Sequence, residues 1–239
     1  MRKFTNYFCL LLTMTLFLSC STANTSVKNK DNLQEAKETI KYLALGDSYT
    51  IGESVCETCR FPVQLKQKLD GSNLNKNISL EIIAKTGWTT TDLLKAIEAK
   101  KLSSNYDLVT LLIGVNNQYQ NKDFKLYEKE FAELVTKATI FAKGDRKNVI
   151  VLSIPDYAYT PYGDKSGKFK TITTELAKYN AFAKKYCQQL EIRYINITDI
   201  TKEGLKNPKL TATDGLHPSK VAYSKFVDRI VPTALQVIK

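Results

Sequence analysis

The sequence predicts an α/β fold, a three-layer α/β/α sandwich around a mainly parallel sheet of five strands. Two observations carry this. From Lys41 onward, apolar runs of strand length alternate with amphipathic stretches of helix length, which is the pattern of a parallel sheet covered by helices. Most of the strand-length runs are apolar throughout instead of alternating, as strands buried on both faces must be.

The strands are expected at Tyr42–Leu45, Leu80–Ala84, Leu108–Ile113, Val149–Ile154 and Ile192–Ile195. Between them, Pro62 to Leu69 opens a helix with proline in the first turn, where its missing N–H does no harm. Thr91 to Lys101 carries Leu93, Leu94 and Ile97 at helical spacing, with Thr and Asp to cap its start. Phe124 to Ala142, Ile172 to Leu190 and Ser219 to Ile238 are longer helices, and Pro232 is expected to kink the last. Ligands of such a sheet gather at the carboxyl ends of its strands. The residues that follow each strand are therefore where chemistry is to be sought.

The bulk numbers restrict the function classes. With 43% hydrophobic and 25% charged residues among 239, the chain fits an ordinary globular protein and neither a disordered nor a membrane-embedded one. The formal charge of +11 invites an anionic partner. Only five of the 35 basic residues are Arg, however, and Arg is the usual reader of phosphates and base edges. No nucleic-acid-binding motif is present, so the expectation is a solvated lysine-rich surface and no nucleic-acid partner.

The amino terminus has the three-part layout of a secretory signal: basic Arg2 and Lys3, a mostly apolar run from Phe8 to Leu18, and small Ser19 before Cys20. The run is shorter than the roughly 20 residues of a comfortable membrane span. Leu16-Phe17-Leu18-Ser19-Cys20 resembles a bacterial lipobox. That resemblance implies a lipidated Cys20, a membrane partner through it, and a location in the bacterial cell envelope on the periplasmic or cell-surface side. Residues 1–19 are thus expected to be the signal peptide and 20–39 a flexible polar tether. Residues 40–239 are left as one globular domain.

The first strand runs into Gly46-Asp47-Ser48-Tyr49, which puts Ser48 where a strand ends, a natural place for an exposed nucleophile. Asp and Ser are also common turn residues, so the motif alone reads as an ordinary turn, with Asp47 in local hydrogen bonding. Asp214-Gly215-Leu216-His217-Pro218 changes the balance, because it holds the sole histidine. A serine hydroxyl needs a base to take its proton, and imidazole titrates in the right range. Asp214 is close enough in sequence to hold the ring and stabilise the imidazolium. Thr86-Gly87-Trp88-Thr89 and Gly114-Val115-Asn116-Asn117 end the second and third strands. Attack on an ester makes an oxyanion that needs preplaced donors. The backbone N–H groups of Ser48 and Gly87 and the side-chain amide of Asn116 would supply them.

Gly46-Asp47-Ser48, Gly87, Gly114-Val115-Asn116 and Asp214-Gly215-Leu216-His217 resemble the four ordered blocks of the SGNH (GDSL-like) hydrolase family. The resemblance implies a flavodoxin-like sandwich and a serine esterase or lipase working through an acyl-enzyme. It implies Ser48 as nucleophile, His217 as base, Asp214 as its partner, and an oxyanion hole of Ser48, Gly87 and Asn116. It implies no metal and no organic cofactor. Asn117 is a departure, since many members carry Asp there; local hydrogen bonding is expected to change more than activity. The substrate expected is a lipid or small acyl ester. The alternatives are a carbohydrate O-acetylesterase acting on an acetylated glycan, and a lipid-anchored binding protein without turnover. The complete set of Ser48, Asp214 and His217 argues against the last.

Weaker features remain. Cys56-Glu57-Thr58-Cys59 reads first as a local disulfide in an oxidising compartment, with a redox site or a zinc site as alternatives. Cys187 reads as a buried core thiol. Trp88 beside Gly87 is a candidate substrate contact or a packing residue. Tyr157, in the stretch from Tyr157 to Gly163 after the fourth strand, is a candidate contact from a substrate-facing loop.

Overall fold

The computed structural model describes residues 37–239. The expected signal peptide, Cys20 and all but the end of the tether lie outside the described residues. Five strands, β1 (Thr39–Gly46), β2 (Asn77–Ala84), β3 (Leu108–Leu112), β4 (Val149–Leu152) and β5 (Arg193–Ile195), form one sheet. Its order is β2-β1-β3-β4-β5 and every pair is parallel. All five expected strands are present. β1 is longer than the apolar pattern indicates, because Thr39 and Lys41 alternate outward from buried Ile40 and Tyr42, and so it starts inside the span read as tether.

The strand chemistry follows from position in the sheet. Every residue of central β3 is buried, and its one polar side chain, Thr110, shares a 2.9 Å hydrogen bond with the hydroxyl of Tyr42 on β1. A buried hydroxyl without such a partner would be a liability. Edge strand β2 instead mixes exposed and half-buried positions with buried Ile78 and Ile83.

Nine α-helices lie among the described residues: α1 (Ser48–Ile51), α2 (Phe61–Asp70), α3 (Thr90–Lys100), α4 (Val115–Tyr119), α5 (Phe124–Phe141), α6 (Pro161–Lys165), α7 (Phe169–Gln189), α8 (Thr198–Thr201) and α9 (Lys220–Val237). The long ones match expectation. Thr89 caps α3 through a reciprocal pair with Asp92, and α9 continues through Pro232. The four- and five-residue helices are additions to the expected set. The stretch after β4, which reads as a loop, is instead a 3-10 turn at Tyr157–Tyr159 followed by α6. Pro161 at the start of α6 and the Thr160 hydroxyl, which accepts from Gly163 N–H at 3.1 Å, explain why it coils.

Helix α2 packs on α9, and α5 packs against both α3 and α7. The sheet lies between these two groups. With the order β2-β1-β3, the chain leaves β1 toward one edge and β3 toward the other, and the crevice where such connections diverge is where open parallel sheets hold their ligands.

Candidate active site

The turn after β1 is built to present Ser48. Asp47 caps α1, its Oδ1 accepting from Tyr49 N–H at 3.0 Å. Gly46 has to be glycine: a Cβ there would collide with the Thr50 hydroxyl and the Leu112 carbonyl oxygen. Burial pushes the Asp47 carboxyl up to about 7, against the hydrogen bond from Tyr49 N–H, and its Oδ2 is buried without a protein partner.

Gly87 lies in a turn closed by Trp88 N–H on the Lys85 carbonyl at 3.2 Å. Its φ of +84° is what a side chain would disfavour, and space does not limit it. Across the crevice, α4 begins directly after β3. There Asn116 donates from Nδ2 to the Trp88 carbonyl at 2.9 Å. A side-chain amide has two hydrogens, so this bond fixes the group while leaving one for another acceptor. Asn117 is fully buried and turns the opposite way. Its Oδ1 accepts from Thr90 N–H at 2.9 Å and its Nδ2 donates to the Thr90 hydroxyl at 2.7 Å. It ties α4 to α3, which is a structural task.

The His217 loop is held by the Ala212 N–H on the His217 carbonyl at 2.7 Å and by a bridge between Thr211 and Pro218. Asp214 organises its interior. Oδ1 accepts from the backbone N–H of Leu216 and His217 at 2.9 and 3.0 Å. Oδ2 lies 2.5 Å from His217 Nδ1. A carboxylate at Nδ1 favours the proton there and leaves Nε2 as the basic nitrogen. Partial burial opposes the charge on Asp214, but hydrogen bonds from Ser54, His217 and the two amides bring its carboxyl down to about 2. The His217 side chain is 12% exposed and that of Asp214 28%.

Ser48, Gly87, Asn116 and His217, from four separate stretches of chain, line one cavity of about 210 Å³. Its apolar walls come from Val115, Leu216, Tyr119 and Tyr157. Tyr157 thus reaches the cavity from the 3-10 turn. Trp88 is not among the lining residues: its ring packs against the core, and its contribution is the carbonyl that holds Asn116.

Two residues at this site carry no readable signal in the sequence. Tyr119 is an ordinary surface tyrosine by its context and becomes a wall only because α4 forms. Ser54 donates from Oγ to Asp214 Oδ2 at 2.7 Å, across 160 residues of sequence. Close by, Cys56 and Cys59 are joined by a disulfide, with Cα atoms 5.0 Å apart, and Cys187 is a buried free thiol. Among the described residues, no group of three or more His, Cys, Asp or Glu could hold a metal ion.

Residues 44–225 match the model of the GDSL-like lipase/acylhydrolase family. This chain belongs to that family. Membership supports an acyl ester hydrolase. Among curated proteins, a secreted effector protein, SseJ of Salmonella typhimurium, is 29% identical over 96 residues, which span 38% of this chain and 22% of that protein. Among solved structures, a member of the lipolytic G-D-S-L family from Veillonella parvula is 16% identical with a TM-score of 0.61, over 83% of this chain and 97% of that one. Axe2, an acetylxylan esterase from Geobacillus stearothermophilus, is 19% identical with a TM-score of 0.61, over 84% and 95%. The five-stranded parallel sheet flanked by helices is thus the fold this GDSL-like chain shares with them.

Proposed function

We propose that the chain hydrolyses small acyl esters through an acyl-enzyme on Ser48. The Ser48 hydroxyl attacks the ester carbonyl and its proton passes to Nε2 of His217, while Asp214 stabilises the imidazolium. The carbonyl oxygen, now an oxyanion, takes hydrogen bonds from the N–H groups of Ser48 and Gly87 and from the remaining amide hydrogen of Asn116. His217 then returns the proton to the departing alkoxide. Water, deprotonated by the same nitrogen, attacks the acyl-serine, and collapse of that second tetrahedral intermediate frees the acid and restores the hydroxyl.

The observation that carries this reading is the shared cavity: Ser48, Gly87, Asn116 and His217 around one hollow, with Asp214 on the imidazole. Its size supports a small acyl group. About 210 Å³ is less than the roughly 300 Å³ at which pockets for drug-sized ligands begin. The same size favours a second reading, a carbohydrate O-acetylesterase, because acetyl is the smallest common acyl group. The amino-terminal residues support the further reading that Cys20 is lipidated and that the domain works from the bacterial cell envelope.

The deciding experiment measures 4-nitrophenyl esters of increasing acyl length, and an acetylated xylan, with wild type and Ser48→Ala. Hydrolysis falling steeply beyond short chains and absent from Ser48→Ala is the expected result. Acetate release from the glycan at a higher kcat/KM than from 4-nitrophenyl acetate selects the second reading. Equal rates for Ser48→Ala and wild type would remove Ser48 as nucleophile, and no labelling of wild type by an organophosphonate would favour a binding protein.

A further inference from the structure

Ser54 belongs to a short segment that holds three parts of the site at once. Gly52 and Glu53 each donate a backbone N–H to the Ser48 carbonyl at 3.0 Å, just past the end of α1. The Glu53 carboxylate accepts from the Thr86 hydroxyl, in the turn that presents Gly87. Ser54 then donates to Asp214 Oδ2 at 2.7 Å, the same oxygen that lies 2.5 Å from His217 Nδ1. Two donors on one carboxylate oxygen fix both its position and its share of negative charge.

The backbone at Ser54 is unusual. Its φ is +62°, a left-handed conformation that non-glycine residues adopt at some energetic expense. Glycine would adopt it freely but has no hydroxyl. The serine at this position places its hydroxyl on Asp214. The loop that follows is closed by the Cys56–Cys59 disulfide, and Cys59 is anchored further by Gln64, which donates to its carbonyl at 2.5 Å.

We propose that Ser54 is a positioning residue for the hydrolytic reaction, its hydroxyl acting as the third member of a Ser54–Asp214–His217 relay that holds the carboxylate against the imidazole. The proposal rests on the reading of Ser48, His217 and Asp214 given above. No covalent step is assigned to Ser54. It donates one hydrogen bond throughout, and restrains the Asp214 oxygen from rotating away when the imidazole gains its proton. The bond also withdraws charge from Oδ2, so that the carboxylate stabilises the imidazolium less than it would alone. Losing Ser54 therefore has two consequences: a less ordered carboxylate, and one that draws more strongly on the imidazolium. The other ionisable groups around the pair are Tyr49, Tyr157 and Asp156, which share a small cavity with His217. Tyr223 also lies within the electrostatic reach of Asp214, Glu53 and Arg60. None of these is altered by substitution at Ser54.

The test compares wild type, Ser48→Ala, Ser54→Ala, Ser54→Gly and Ser54→Asn, with kcat and KM for 4-nitrophenyl acetate measured from about pH 5 to 9 and melting temperatures recorded in parallel. Ser54→Gly removes the hydroxyl while relieving the left-handed backbone, so it remains folded if Ser54→Ala does not. The expected result is a kcat lower by about tenfold or more in both Ala and Gly variants, in line with a hydrogen bond to a charged group. KM should change little, and the acidic limb of the rate profile should move to higher pH. Asn tolerates the left-handed region and carries a donor, so Ser54→Asn is expected to regain part of the loss. Wild-type kcat and an unmoved profile in Ser54→Gly, with Ser48→Ala inactive, would overturn the relay while leaving the proposed function intact. An active Ser48→Ala would overturn both.

Discussion

Tyr49 meets the imidazole of His217 edge-on, with ring centroids 5.8 Å apart and planes inclined by 64°. Tyr49 follows Ser48 in α1 and is 3% exposed. The ring is therefore a rigid spacer between the helix of the proposed nucleophile and the loop of the proposed base. The other link between them is the hydrogen bond from Ser54, just past α1, to Asp214 at 2.7 Å. α1 is a single turn, and the His217 loop is held by turn hydrogen bonds.

Removing that spacer should disturb catalysis beyond its effect on stability. Tyr49→Phe keeps the ring edge and is expected to retain kcat within about twofold. Tyr49→Ala empties a core position and should destabilise the fold by about 3–5 kcal/mol. Tyr49→Leu is the informative variant. It fills much of the volume, loses an aromatic contact worth roughly 0.5–1.5 kcal/mol, and should lower kcat far more than that loss affects urea unfolding. A leucine variant with wild-type kcat would separate the ring from the imidazole's placement.

Asp47 should leave a mark on stability as a function of pH. Its carboxyl is raised from an ordinary 3.8 to about 7 by burial. Between those values the unfolded chain has lost the proton and the native one has kept it, so stability falls as pH rises. The advantage of the protonated fold is fully present below about 3.8 and lost by about 7. Asp214 has the opposite sign: its carboxyl is depressed to about 2, so its contribution is present above its ordinary value and disappears only as pH falls toward 2. The two windows do not overlap. Asp47→Asn is expected to flatten the decline in urea midpoint between pH 4 and pH 8 and to leave the behaviour below pH 3 unchanged. A decline as steep as that of wild type would assign it to other groups.

The parts of the molecule legible in the sequence are those whose signal is local and repeated. β3 reads Leu-Val-Thr-Leu-Leu and is buried at every position; α5 and α7 run for 18 and 21 residues and show their apolar stripe many times over. A four-residue helix such as α1 has too few residues to display a period, and α6 reads as a loop because its Pro and Gly are ordinary loop residues too. At the site, Ser48, Gly87, Asn116 and His217 each stand in a short motif after a strand or before a helix. Ser54 has no such context. A serine two residues past a glycine is unremarkable until the fold brings Asp214 to it, and no spacing rule reaches across 160 residues.

The Cys56–Cys59 bridge closes a very short loop, so its effect on the unfolded chain is small, about 2 kcal/mol at most by loop entropy. The expected outcome is a melting temperature lowered by a few degrees in reductant, about 2–4 °C per kcal/mol for a domain of this size. Reductant should have no effect on the Cys56→Ser, Cys59→Ser double variant. An identical melting curve for wild type with and without reductant would mean that the bridge contributes nothing to stability.

Asn117 shows why one departure from the family pattern suits this chain. The Thr90 hydroxyl gives its only hydrogen to Glu130, so toward position 117 it presents lone pairs, and Asn117 Nδ2 donates to it at 2.7 Å. An aspartate in place of Asn117 would set a carboxylate oxygen against that hydroxyl oxygen and place a second negative charge near Glu130, which is 8% exposed. Asn117→Asp is therefore expected to destabilise the protein by about 2–4 kcal/mol at neutral pH. Glu130→Gln should rescue it. A glutamine amide can donate to the Thr90 oxygen and accept from the Thr91 hydroxyl, now 2.7 Å from Glu130 Oε1, which frees the Thr90 hydrogen for the introduced aspartate. A double-mutant cycle by urea unfolding is expected to return a coupling of at least about 1 kcal/mol in favour of the variant that carries both substitutions. Additive losses would mean that hydroxyl direction at Thr90 does not decide the residue that follows Asn116.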